Sequence, residues 1–174
     1  AGSGFAIQSY TVHRTLGGAA ALARLRKRLH KRGLKLMLDF VPNHLAPDHQ
    51  WVREHPDYFV HGSESDLASS PQNYCRIGSQ VFAFGRDPYF DGWPDTLQLD
   101  YSNPDVQQAM IGELARIAAQ CDGVRCDMAM LVLPEVFERT WHRPAPPFWP
   151  AATSRVREEF PAFAFMAEVY WDLE

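Results

Sequence analysis

The chain has 174 residues, 46% hydrophobic and 22% charged, with a formal net charge of −4. That length and apolar content support one domain with a core and exclude the charged, low-hydropathy class of disordered chains. The negative charge argues against nucleic acid or an anionic membrane as partner, and no run of about 18 apolar residues reads as a membrane span.

In chain order, Phe5 to Tyr10 reads as the end of a strand. Gly17-Gly18 then precedes a helix over 19–32, where Leu22, Leu25 and Leu29 recur at helical spacing between basic residues and Gly33 supplies the stop. Leu34 to Val41 is a short apolar run closed by Pro42, the pattern of a strand covered on both faces. From His44 to about Asp100 no period is sustained, and the stretch is rich in Pro, Gly, His, Asp and aromatics. At more than fifty residues it is too long for a connecting loop and reads as an irregular insert with structure of its own. Its aromatics, between Trp51 and Trp93, suit either sugar stacking or ordinary loop packing.

Order returns at Ser102-Asn103-Pro104-Asp105, a helix start with a capping side chain, proline in the first turn and an acid at the positive end of the dipole. Val106, Met110, Leu114 and Ile117 carry its apolar stripe through Gln120. Asp122-Gly123 turns the chain into a strand over 124–128. A proline-rich loop, Pro144 to Pro150, leads to a short helix over 152–160 and a last strand over 163–170. The order β-α-β-insert-α-β-α-β implies an α/β fold with a parallel sheet. It divides the chain into residues 1–44, an insertion over 45–100 and residues 101–174.

Functional groups in such sheets gather at the carboxyl ends of the strands. Asp39, Asp127 and Glu168 stand near those ends. One acid in an apolar run is usually a structural ion pair, but three in succession point to chemistry. Arg125 and Asp127, two apart, share a strand face, and the guanidinium should favour ionised Asp127, as a nucleophile needs. Glu168 sits among Phe165, Met166, Val169, Tyr170 and Trp171, surroundings that should raise its pKa and suit a proton donor. Two acids one βα unit apart lie on adjacent strands about 5 Å apart, the separation of a retaining glycosidase.

The blocks around these acids resemble those of the α-amylase family, glycoside hydrolase family 13. Asp39-Phe40-Val41-Pro42-Asn43-His44 is similar to the family's D-x-V-x-N-H block. Gly123-Val124-Arg125-Cys126-Asp127-Met128-Ala129 is similar to G-x-R-x-D-x-A, and Ala167-Glu168-Val169 to the block centred on the acid/base. The resemblance runs from Phe5 to Trp171. It implies part of a (β/α)8 TIM barrel, about strands 2–5, with a domain-B-like insertion after the third strand. It also implies a retaining enzyme on α-glucans or α-glucosides. In it Asp127 is the nucleophile, Glu168 the acid/base, Arg125 the holder of Asp127, and His44 a hydrogen-bonding group to the reacting sugar. Phe5 matches an aromatic beneath that sugar, and Asp39 and Asn43 are structural at the site.

The departures from the pattern are informative. Met130 and Leu131 stand where many relatives carry Lys-His on the acceptor side, so acceptor recognition differs. A glucosyltransferase using sucrose or maltooligosaccharides is therefore the alternative to a hydrolase. Gln98 replaces an Asp that helps bind calcium in many relatives, where Asn43 is also a ligand, so calcium is not implied and no cofactor is required. The block carrying a third catalytic Asp is not among these residues. The chain therefore reads as a fragment, inactive alone, that self-associates or joins the missing half of its barrel. A non-catalytic binding or assembly role is the remaining alternative. Cys75, Cys121 and Cys126 have no metal-binding spacing and read as buried thiols, which favours a reducing compartment such as the cytoplasm.

Overall fold

A computed structural model describes residues 3–171. Helix α1 spans Gly18–His30, between the left-handed Gly17 (φ 92°) and a turn ended by the left-handed Gly33 (φ 71°). Strand β1, Met37–Phe40, follows. The insert is entered through β2, His44–Leu45, and contains short helices α2 (Trp51–Glu54) and α3 (Glu64–Ser69). It also holds the hairpin β3 (Tyr74–Ile77) and β4 (Gln80–Ala83), and it leaves through β5, Leu97–Gln98. β2 and β5 pair antiparallel, His44 with Gln98 and Leu45 with Leu97, forming the stalk of the insert. Helix α4 (Pro104–Ala118), β6 (Gly123–Cys126), helices α5 (Pro134–Trp141) and α6 (Trp149–Glu159), and β7 (Ala164–Ala167) complete the order.

The largest sheet among the described residues is β1-β6-β7, all parallel. Alternation along each strand sends Leu38, Phe40, Val124, Cys126 and Phe165 toward the core. There they meet the apolar stripe of α4, with Val106, Met110 and Leu114 fully buried, and Ala152 and Val156 of α6. Burial of each large aliphatic of this set contributes on the order of 2 kcal/mol. The opposite face carries Met37, Asp39, Arg125 and Met166 and stays open, with Met166 half exposed. The apolar cluster continues into the insert through Phe59, Phe82, Leu97 and Tyr101, so insert and sheet share one core.

Two expectations are corrected. Residues 5–10 form turns and bends, not a strand. The Tyr10 hydroxyl donates to the Val41 carbonyl (2.7 Å) and accepts from the Val41 N–H (3.1 Å), while Ala46 N–H donates to the Ile7 carbonyl. The segment is thus tied to the end of β1 by a side chain and single backbone bonds instead of a ladder. The second correction is that two helices, not one, join β6 to β7. Pro134 at the first helical position, Glu135 in the first turn and the left-handed His142 (φ 55°) bound the additional helix α5.

Helix α1 packs lightly, with none of its residues buried and Leu25 exposed. It is held by Asp122, just before β6, which accepts from Arg26 (2.8 Å), from His30 (2.8 Å) and from the Leu36 N–H (2.8 Å).

Candidate active site

The three expected acids meet at the carboxyl end of the sheet. The backbone sets them there: Asp127 N–H donates to the Phe40 carbonyl, Glu168 N–H to the Cys126 carbonyl, and Ala129 N–H to the Glu168 carbonyl. β6 and β7 are neighbours in register, so Asp127 and Glu168 leave adjacent strands side by side. Arg125, opposite Asp39 on one side and Met166 on the other, joins all three acids. Its Nη1 donates to Asp127 Oδ1 at 2.8 Å and to Asp39 Oδ1 at 3.2 Å, and its Nη2 lies 2.6 Å from Glu168 Oε2. One guanidinium bridging three carboxylates keeps like charges together on one small face.

Met128, directly after Asp127, sits in the left-handed region (φ 44°), costly for a side-chain-bearing residue. That turn aims its N–H at Glu168 Oε2, 2.8 Å away. Tyr170 donates its hydroxyl to Glu168 Oε1 at 2.9 Å. Residue type alone did not single out either donor, although Tyr170 lies two residues after Glu168, the spacing that returns an extended chain to the same face.

The electrostatics reverse the sequence-based expectation. Burial pushes Asp127 up to about 6, against the pull of Arg125, with Glu168 and Asp39 adding repulsion. Partial burial also pushes Glu168 up, but the Met128 N–H, the Tyr170 hydroxyl and Arg125 outweigh it and hold the carboxyl below its usual range. The apolar neighbours of Glu168 in sequence do not enclose it: Met166 and Tyr170 are exposed. Asp127 is the more buried acid because it lies on the middle strand and Glu168 follows an edge strand.

Phe5 lies under Arg125, its ring 5.1 Å from the guanidinium carbon, a cation–π contact that steadies the bridge. The carbonyl of the same residue lies near the His44 imidazole and favours its charged form. His44 is buried in the stalk, and burial lowers its pKa to about 4 despite Asp95 and that carbonyl, so the imidazole is neutral at pH 7. Trp93 meets it edge-on at 5.2 Å between ring centres. Gly85 lies behind it, where a Cβ would come 2.8 Å from His44 Cβ and 2.7 Å from Thr96 Oγ1, so only glycine fits.

Asn43 is fully buried and spent on Gln98: their amides exchange hydrogen bonds of 3.1 and 2.9 Å, and Gln98 Nε2 also donates to the Asn43 carbonyl. Among the described residues no cluster of His, Cys, Asp or Glu is placed to hold a metal, and an amide paired to Gln98 does not fit a calcium ligand set. Met130 and Leu131, expected on the acceptor side, are instead buried with Val136 in a small apolar cluster flanked by Trp93, Val169 and Trp171. The turn at Met128 folds them inward.

A family model described as the alpha-amylase catalytic domain matches residues 2–172. An α-glucosidase of Apis mellifera is 45% identical over 127 residues, covering 62% of this chain and 22% of that protein. An α-1,4-glucan:maltose-1-phosphate maltosyltransferase of Cereibacter sphaeroides is 28% identical over 162 residues, covering 91% of this chain and 20% of that protein. Among solved structures, an α-amylase from Lactobacillus plantarum superposes with a TM-score of 0.69 at 29% identity, covering 94% of this chain and 32% of the other. The chain thus spans about a fifth of the length of these curated relatives.

Proposed function

The chain belongs to the α-amylase catalytic-domain family, and on that premise we propose that it carries the carboxylate pair of a retaining α-glycoside hydrolase acting on α-glucans or α-glucosides. The supporting observation is the placement of Asp127 and Glu168 at the ends of adjacent parallel strands, both on the guanidinium of Arg125. In this reading Asp127 attacks the anomeric carbon as the glycosidic C–O bond breaks, and Glu168 gives its proton to the leaving oxygen. Glu168 then takes a proton from water, whose oxygen displaces Asp127 and regenerates it. Arg125 keeps the attacking oxygen in place, and neutral His44 is a hydrogen-bond partner for the sugar. The 174 residues hold two of the three catalytic acids that the family resemblance implies, so we expect little or no turnover from them alone. The open face and free edges of the sheet favour association with the remaining strands of a barrel.

The test is to trap the intermediate in the full-length protein with a fluorinated α-glucosyl fluoride and map the labelled peptide by mass spectrometry. Label on Asp127, with net retention at the anomeric carbon, is expected. Label elsewhere or inversion refutes the assignment. A transferase is the second reading, favoured by the match to the maltosyltransferase over 91% of the chain. Under it, an added acceptor sugar diverts product from free glucose to longer oligosaccharides, and under the hydrolase reading it does not.

A further inference from the structure

We propose that Tyr170 is a positioning residue for Glu168, its hydroxyl holding the one carboxyl oxygen left to carry the catalytic proton. The proposal rests on the acid/base role given to Glu168 above. Oε2 of Glu168 faces two donors, the Met128 N–H at 2.8 Å and Arg125 Nη2 at 2.6 Å. Neither can accept, so a proton on Oε2 would meet two opposed N–H groups. The proton therefore belongs on Oε1, whose partner among the described residues is the Tyr170 hydroxyl at 2.9 Å.

A hydroxyl suits this place because it both donates and accepts. It donates to Oε1 while Glu168 is ionised. When Glu168 is protonated it turns and presents a lone pair, leaving the acid O–H free to swing to a leaving oxygen. No other group changes its bonding. The hydroxyl is held by a chain of rings: Tyr170 packs against Trp171, and Trp171 meets Tyr89 of the insert edge-on at 4.8 Å. The charged groups around Glu168 are Arg125 and Asp127 from the neighbouring strand and, through Arg125, Asp39 of β1. Tyr170 is the neutral member of the set. It favours the carboxylate without adding charge, and the resulting depression of the Glu168 pKa agrees with the geometry.

The experiment is a ¹³C-carboxyl NMR titration of the 174-residue chain, with Glu168 assigned from the Glu168→Gln variant. Tyr170→Phe removes only the hydroxyl from an exposed ring. It should raise the Glu168 midpoint by about half a unit to one unit, the net worth of one hydrogen bond to a carboxylate. A fluorinated tyrosine at position 170, a stronger donor, should lower the midpoint. A midpoint unmoved by both, in variants with unchanged circular dichroism, overturns the proposal. Shifts in the expected directions, in a full-length protein lacking glycosidase activity, would leave the contact standing and fail the functional reading alone.

Discussion

Replacing Asp127, the proposed nucleophile, with its neutral isostere should stabilise the folded chain near neutral pH. Asp127 is 5% exposed, and its pKa moves from the ordinary 3.8 to about 6. The folded state thus binds the proton more tightly than the unfolded state. The associated stability is complete below about pH 4 and is lost as pH rises through about 6. The full shift corresponds to about 3 kcal/mol. Its partners Arg125 and Glu168 are in part exposed, so screening weakens the charge terms and about 2 kcal/mol is the figure to expect. Asp127→Asn keeps the volume and the acceptor for Arg125 Nη1 but has no charge to bury. Urea unfolding of both proteins from pH 4 to pH 8 measures the effect. Their stability difference should be small at pH 4 and grow to about 2 kcal/mol in favour of Asn by pH 7.5, a gain of roughly 4–8 °C in Tm for a chain of this size. The other titrating groups largely cancel in the difference. Parallel stability–pH curves for the two proteins would refute the claim that Asp127 is held against its own burial.

Gly123 begins the middle strand, where a Cβ would stand 2.7 Å from the Ala164 carbonyl oxygen and 3.0 Å from Ala164 Cβ. Gly123→Ala should therefore destabilise by about 1–2 kcal/mol, the strain of separating β6 from β7 less the entropy gained from the unfolded chain; an equal or raised Tm would contradict this. Asp122→Asn should loosen α1, since that carboxylate binds Arg26, His30 and the Leu36 N–H and α1 buries none of its residues. Amide exchange in α1 should quicken about tenfold while α4 is unaffected. In the unmutated chain the same tether should hold above about pH 4 and fail as pH falls further, because Asp122 lies well below its usual range. Exchange that rises equally in both helices would show that Asp122 acts on the whole fold.

The strand–helix alternation and the three acids were legible because each depends on local spacing. Asn103-Pro104-Asp105 caps α4 as its types dictate, with Asn103 Oδ1 accepting from the Asp105 N–H. Phe5–Tyr10 misled because its apolar residues pack singly against other elements, and nothing in them shows whether a neighbouring ladder is present. Helix α5 was hidden by the apolar residues 128–133 before it, which blur its period. The ionisation of the pair was illegible for a deeper reason. The residues flanking Glu168 are apolar, but a pKa follows what surrounds a group in space. Here that is two donors placed by a strained turn at Met128 and by Tyr170. Met130 and Leu131 could be placed on the acceptor side only by position in the pattern, and the same turn buries them.

Asp127, assigned above as the nucleophile, holds its proton more tightly than Glu168, assigned as the proton donor, and the sheet explains why. Helices α4 and α6 cover one face of β1-β6-β7, while the face bearing Arg125, Met37 and Met166 is open to water. Asp127 is already desolvated, so covering that face can raise its pKa little further. Glu168 is only half enclosed beside an edge strand and has far more hydration to lose. A layer of protein or a bound sugar on the open face should therefore raise Glu168 more than Asp127. It should also strengthen the pull of Arg125 on Asp127 by lowering the local dielectric. Both changes move the proton from Asp127 toward Glu168, the arrangement a retaining glycosidase requires. Carboxyl titrations of the chain with and without a bound sugar analogue test this directly: Glu168 should titrate higher in the complex while Asp127 titrates lower or unchanged. If the two acids keep the same order in both, covering the sheet does not set the roles of the pair, and the inverted ionisation belongs to the local geometry of Arg125, Met128 and Tyr170.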